Sequence, residues 1–266
     1  MNSNLRASLA ELIGTFAVVF FTSAAVVADG IPSLSGHSGY GKIGIALVAG
    51  ASWAVALALT LRLSGGFLNP AITVMLWAFQ RIEHKRAASF LIAQLLGGVL
   101  AGLAIRGLFF FSETALLSTR MGTPHLNLAA FAAAGMDQST MLAGIGIETL
   151  LAFLLVFAMF AFIFDPRFKR NAGETVYRLS YLWIGLLIFV ETMVAFNYTS
   201  ACLNPARWLG LVLWESTVGG LQSQHPWADH APFWIGPTLG SVLAGLIYNY
   251  FILPQDERKG PPKEVP

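Results

Sequence analysis

Asparagine, proline and alanine stand together twice in this chain, as Asn69-Pro70-Ala71 and as Asn204-Pro205-Ala206. Each box follows a leucine and an irregular run, 63–68 in one case and 198–203 in the other. Asparagine is a strong helix N-cap, and proline suits the first helical position because its missing N–H would be unpaired there anyway. Each box therefore predicts an extended segment that becomes a helix at the asparagine. About ten residues of helical character follow, enough for about 15 Å of helix. The chemistry on offer is polar rather than covalent. It consists of two carboxamides and two stretches of unpaired backbone, in which the carbonyls of Gly65, Gly66 and Phe67 and of Ser200, Ala201 and Cys202 would form ladders of acceptors.

The elements that must hold these boxes are apolar. Of 266 residues 56% are hydrophobic and 11% charged, with a mean hydropathy of +0.65. A soluble domain carries about 25% charge, so lipid is the expected solvent. A net charge of +2 without a basic run speaks against nucleic-acid binding, and the single cysteine, Cys202, against a disulfide scaffold. Six stretches approach the roughly 20 apolar residues that a spanning helix needs: 8–28, 41–61, 88–111, 141–164, 179–196 and 232–253. None alternates with the period of two that a barrel strand requires. The predicted class is an all-α membrane protein with six spans and two half-helices. A secretory leader in 1–28 is the lesser reading.

The two halves repeat. Glu11-Leu12-Ile13-Gly14-Thr15-Phe16 resembles Glu148-Thr149-Leu150-Leu151-Ala152-Phe153, the two boxes match, and the segment 94–103 recurs at 237–246. Three matches in order at nearly constant offset mean two homologous three-helix units, about 8–111 and 141–253, joined by a connection at 112–140. An odd number of crossings per unit forces inversion about an axis in the membrane plane. The half-helices then enter from opposite faces and meet near the midplane, where bare backbone is tolerated only if it lines a cavity or is buried in protein. Gly50 and Gly185 each lie 19 residues before a box asparagine. They are expected to meet where the second and fifth spans cross, since small residues let membrane helices approach.

Eleven of the sixteen Lys and Arg fall at the N-terminus, after spans two and four, and at the C-terminus. By the positive-inside rule both termini are expected in the cytoplasm, which makes 112–140 extracellular. The polar, proline-rich tail 255–266 reads as disordered. The whole chain, 1–266, reads as one membrane domain.

Paired Asn-Pro-Ala boxes in inverted three-helix repeats, each opening with a glutamate, resemble the aquaporin (major intrinsic protein) family over about residues 9–251, and Arg207 continues the second box as it does there. The resemblance implies a six-helix bundle, four subunits each with its own pore, no cofactor or metal, and no enzymatic activity. It also implies a passive channel for water that excludes ions and protons. Two half-helix N-termini, each with about half a positive charge, would repel cations where they meet, and the amides of Asn69 and Asn204 would donate to one water. The outer constriction implied by the family is Ala49, Thr192, Ala201 and Arg207. The water-selective pattern has an aromatic residue and a histidine where this chain has Ala49 and Thr192, so a wide aperture is expected. It would admit small neutral solutes such as glycerol, urea, ammonia or undissociated metalloid acids. Trp208 and Val212 depart from the glycerol-facilitator pattern.

Glu11 and Glu148 are expected to accept hydrogen bonds from the backbone of the two loops. Glu191 has no counterpart in the first half. It faces either the pore, pairing with Arg207, or a neighbouring subunit. Cys202 beside the lining is either a mercurial target or an inert buried thiol. The five histidines lie in loops without metal-ligand spacing. An ion- or proton-coupled transporter is the competing reading, but it requires a titrating group at the midplane, where asparagines and backbone are expected instead. The surroundings are membrane lipid and, by the resemblance, three more copies of the chain. The cell membrane (plasma or bacterial inner) is the expected location.

Overall fold

The computed structural model describes residues 3–31, 39–219 and 225–257. Ten α-helices occur among them: α1 Ser3–Asp29, α2 Gly41–Thr60, α3 Pro70–Ala78, α4 His84–Leu108, α5 Glu113–Ser118, α6 Gln138–Met159, α7 Pro166–Arg178, α8 Ser180–Thr199, α9 Pro205–Glu215 and α10 His230–Ile247. The described residues contain no strand. α1, α2, α4, α6, α8 and α10 are long and apolar enough to cross a bilayer, with π-helical turns at Phe160–Phe164 and Tyr248–Ile252 extending α6 and α10. All six predicted spans are present, and the observed limits differ by a few residues because polar terminal turns continue the helices. The connection at 112–140 holds α5 and a 3₁₀ turn, Arg120–Gly122. Of the predicted disordered tail, Gln255–Glu257 form a 3₁₀ turn and 258–266 lie outside the described residues.

α3 and α9 are the half-helices, of 9 and 11 residues. Asn69 and Asn204 are their N-caps, in extended conformation with proline next, and each Oδ1 accepts from the backbone N–H two residues on, at 2.9 Å. The repeat is visible in the packing: α1 lies along α4 as α6 lies along α10, and α2 crosses α8 between the halves. At that crossing a Cβ on Gly50 would stand 2.4 Å from the Gly185 carbonyl oxygen, and one on Gly185 would stand 2.6 Å from that of Gly50. α4 crosses α9 equally closely, through Gly98 and Gly210. In lipid no hydrophobic force drives helices together, so backbone proximity and dispersion must do it.

The crossing cannot accept a side chain without moving a backbone. Gly185→Val is expected to lower the stability of the purified protein by about 1–3 kcal/mol, the usual cost of overpacking. A lowered thermal midpoint in detergent would show it, and an unchanged midpoint would mean that the two helices are free to part.

Candidate functional site

Both irregular segments reach their box through a leucine with left-handed backbone, Leu68 at φ 52° and Leu203 at φ 58°. That conformation is unfavourable for a residue with a Cβ, by about 1–2 kcal/mol each. Buried carboxylates hold it in place. Glu11 accepts from Phe67 N–H at 3.0 Å and Leu68 N–H at 2.6 Å, and Glu148 accepts from Cys202 N–H at 3.0 Å and Leu203 N–H at 2.7 Å. Glu11 takes a further bond from Gln94 Nε2 at 2.7 Å. The boxes then join across the axis. Asn69 Nδ2 donates to the Leu203 carbonyl at 2.8 Å, and Asn204 Nδ2 to the Leu68 carbonyl at 2.9 Å. A carboxamide nitrogen has two protons, so each asparagine keeps one beyond this exchange.

On one side of the boxes lies a cavity of about 290 Å³, counting the part open to solvent. The room in it for the centre of a water-sized sphere is only about 10 Å³, about what a single water molecule needs. Ala49, Thr192, Ala201 and Arg207 all line it, with Cys202 and Asn204. Arg207 is 5% exposed. Its Nη1 donates to the carbonyls of Ser200 at 3.2 Å and Ala201 at 2.9 Å, and Nε lies 3.5 Å from Ser23 Oγ. Nη2 has no partner among the described residues. Two of the six expected acceptor carbonyls are thus engaged by this guanidinium.

The other expected residues are placed as follows. Pro70, Ala71, Pro205 and Ala206 are buried in the half-helices. Gly65, Gly66 and Phe67 are not on the wall of this cavity, and the Phe67 ring packs edge-on against Phe90 and Phe164. Glu191 is 3% exposed, off the cavity wall, and neither oxygen has a partner among the described residues. It therefore makes no ion pair with Arg207, and being buried within the chain it offers nothing to a neighbouring copy. Cys202 is buried at 2% exposure with Sγ 3.4 Å from the Asn204 carbonyl.

Against the family of major intrinsic proteins, the match runs over residues 1–248. This chain belongs to that family. Among curated aquaporins it is 35% identical to aquaporin TIP4-4 of Zea mays over 98% of this chain and 92% of that one. It is 30% identical to probable aquaporin TIP3-2 of Arabidopsis thaliana over 94% and 85%. The aquaglyceroporin from Plasmodium falciparum, at 19% identity, superimposes with a TM-score of 0.76 over 94% of this chain and 97% of that one, a likeness of fold. Major intrinsic proteins are integral membrane channels, not enzymes.

The aquaporin-family motifs did not reveal two groups of residues. Trp53, Thr22, Val18 and Ile188 also line the cavity; helical spacing from Ala49 and Thr192 was the signal that could have found Trp53 and Ile188. The second group sits at the ends of α9 and α10. His125 Nε2 lies 2.7 Å from Glu215, and Nδ1 lies 3.0 and 3.1 Å from the two oxygens of Asp229. Arg120 Nε bonds Glu215 at 2.7 Å, and Asp229 accepts from Leu126 N–H at 2.8 Å. The 112–140 connection is thereby pinned to both helices. No local sequence pattern brings these four together, since 104 residues separate His125 from Asp229.

A neutral imidazole has one N–H, so only the cation can donate to both acids. Burial by itself pushes His125 down, but the hydrogen bonds and charges of Asp229 and Glu215 outweigh it and hold the group above its ordinary value. Stability linked to this proton is complete below the unfolded value of about 6.5, and is lost as pH rises through the raised folded value. Thermal midpoints measured between pH 6 and 9 are expected to fall with rising pH, and less so in His125→Gln; equal slopes would deny the linkage. Glu148→Ala would strand two buried N–H groups at about 1–3 kcal/mol each, and is expected to cost more stability than Glu148→Gln in the same melting assay.

Proposed function

We propose that the protein is a passive channel that conducts water, and through a broad polar ring also small neutral solutes, while excluding ions and protons. The observation that supports this most directly is the single cavity on which Ala49, Thr192, Ala201 and Arg207 converge, with Asn204 on the same wall. The Nη2 of Arg207, with no partner among the described residues, is a buried donor that a water or a small polar solute in the cavity would satisfy, since an unmet donor there costs several kcal/mol. The spare amide protons of Asn69 and Asn204 would donate to a water between them. That water accepts twice and turns both its protons outward, so the file reverses orientation and a proton relay is interrupted. Selectivity from lining donors, pore diameter and half-helix dipoles is general for aquaporin-type pores.

The proposed aperture is wide because two of the ring positions are alanine. A glycerol, urea or metalloid-acid facilitator with water secondary is the alternative reading that such a ring allows. A coupled transporter is not supported, since no carboxylate is among the cavity-lining residues. Glu11 and Glu148 are proposed as supports of the loop backbone, not as transport groups. The proposed setting is a cell membrane with both termini in the cytoplasm, on the side of the basic residues. Four copies are proposed to assemble through the apolar helix faces.

Stopped-flow measurements on proteoliposomes, with water, urea and glycerol compared side by side, test the reading. Water flux no faster than in empty vesicles would overturn it. Ala49→Phe is expected to reduce urea entry about tenfold, a barrier increase of about 1.4 kcal/mol, while water still passes. Equal reduction of urea and water would show that ring width does not discriminate.

A further inference from the structure

The cavity wall has two levels. α1 and α8 are the first and fifth spans and run in one sense, while α2 runs in the other. One turn back along α1 and α8 therefore corresponds to one turn forward along α2. Each of the three helices lines the cavity twice, with residues four apart and so about 6 Å along its axis: Thr22 and Val18 on α1, Ala49 and Trp53 on α2, Thr192 and Ile188 on α8. α9 gives the direction. It begins at Asn204 near the boxes and carries Arg207 about one turn outward, so the level of Trp53 is the inner one.

The outer level is small and polar, and the inner one bulky and apolar. Trp53 is the one aromatic side chain among the residues lining this cavity, and it is 5% exposed. The space that alanine opens at position 49 is thus followed, one turn further in, by an indole from the same helix face. An indole cannot shrink, and it offers at most one hydrogen-bond donor. A polyol passing it must give up hydration that valine and isoleucine opposite cannot replace. Water, with Asn204 within the same cavity, needs less room and fewer partners.

Resting on the channel reading above, we propose that Trp53 sets the upper size of the solutes that pass, so that the constriction governing size lies one helical turn inside the ring of Ala49, Thr192, Ala201 and Arg207. The outer ring selects by polarity and the indole selects by bulk. Glycerol and larger polyols are the class held back, and urea is less affected.

Proteoliposomes carrying the wild-type chain, Trp53→Phe or Trp53→Ala, assayed by stopped flow with water, urea and glycerol, test this. The glycerol-to-water permeability ratio is expected to rise about tenfold in Trp53→Ala, as a barrier lower by about 1.4 kcal/mol would give. A smaller rise is expected in Trp53→Phe, and a smaller one for urea than for glycerol in both. An unchanged ratio in a Trp53→Ala protein that still conducts water overturns the proposal. A wild-type protein that conducts no water overturns the channel reading instead. Should Trp53→Ala lose water conduction by failing to fold, Trp53→Phe decides, and an unmoved ratio there overturns the proposal equally.

Discussion

Two carboxamides hold the middle of this protein together. Each box asparagine uses its oxygen to cap its own half-helix and one of its amide protons to bond the opposite loop, at the carbonyl of Leu203 or Leu68. No other neutral side chain of this size has both an acceptor and a two-proton donor on one planar group. Aspartate would cap but could not donate across the axis, and serine would have to choose. The exchange fixes the distance between two helix ends that share no covalent link for 135 residues. It also satisfies groups that no water reaches from lipid.

That exchange demands backbone carbonyls pointing across the axis, which the left-handed leucines supply. The conformation is unfavourable in isolation and persists because a buried carboxylate takes the two N–H groups on the other side of each loop. Sequence, strain and charge are therefore one arrangement, made twice. The copies are not identical. Gln94 gives Glu11 a third bond and also meets Thr73 on α3, whereas the repeat places Pro237, which has no donor, at the matching position. The first half thus has an added side-chain link from its glutamate to its half-helix, whereas in the second Arg207 takes the loop carbonyls of Ser200 and Ala201.

The fold was legible in the sequence because its causes are local or periodic. Apolar length gives the spans, and Asn-Pro gives the half-helix starts. Repetition at constant offset gives the inversion, and from the inversion follows the meeting of Gly50 with Gly185. Much of the cavity wall could be assigned for the same reason, since Ala49, Thr192, Ala201 and Arg207 sit at fixed spacing from the boxes. What escaped depends on contacts between elements that no spacing connects. Glu191 was left between two environments and occupies neither, because helix rotation within a bundle is set by packing that one sequence does not display. His125, Arg120, Glu215 and Asp229 come from a long connection, a half-helix end and a span start. Their association exists only in three dimensions.

The inverted repeat makes the two approaches to the boxes equivalent in backbone, but not in chemistry. On the side of α9 the loop carbonyls meet a guanidinium, a cavity opens, and a cluster of charged residues pins the overlying connection. On the side of α3 the corresponding loop carries Phe67, packed among Phe90 and Phe164, and a π-turn brings Tyr248 against Phe160 with its hydroxyl on Asp165 at 2.9 Å. Duplication explains why both halves can build a helix end in mid-membrane. It does not explain why one approach is polar and the other aromatic, because symmetry alone would have made them alike. That difference lies in side chains outside the repeated motifs, and those side chains are where one family fold acquires the properties of one member.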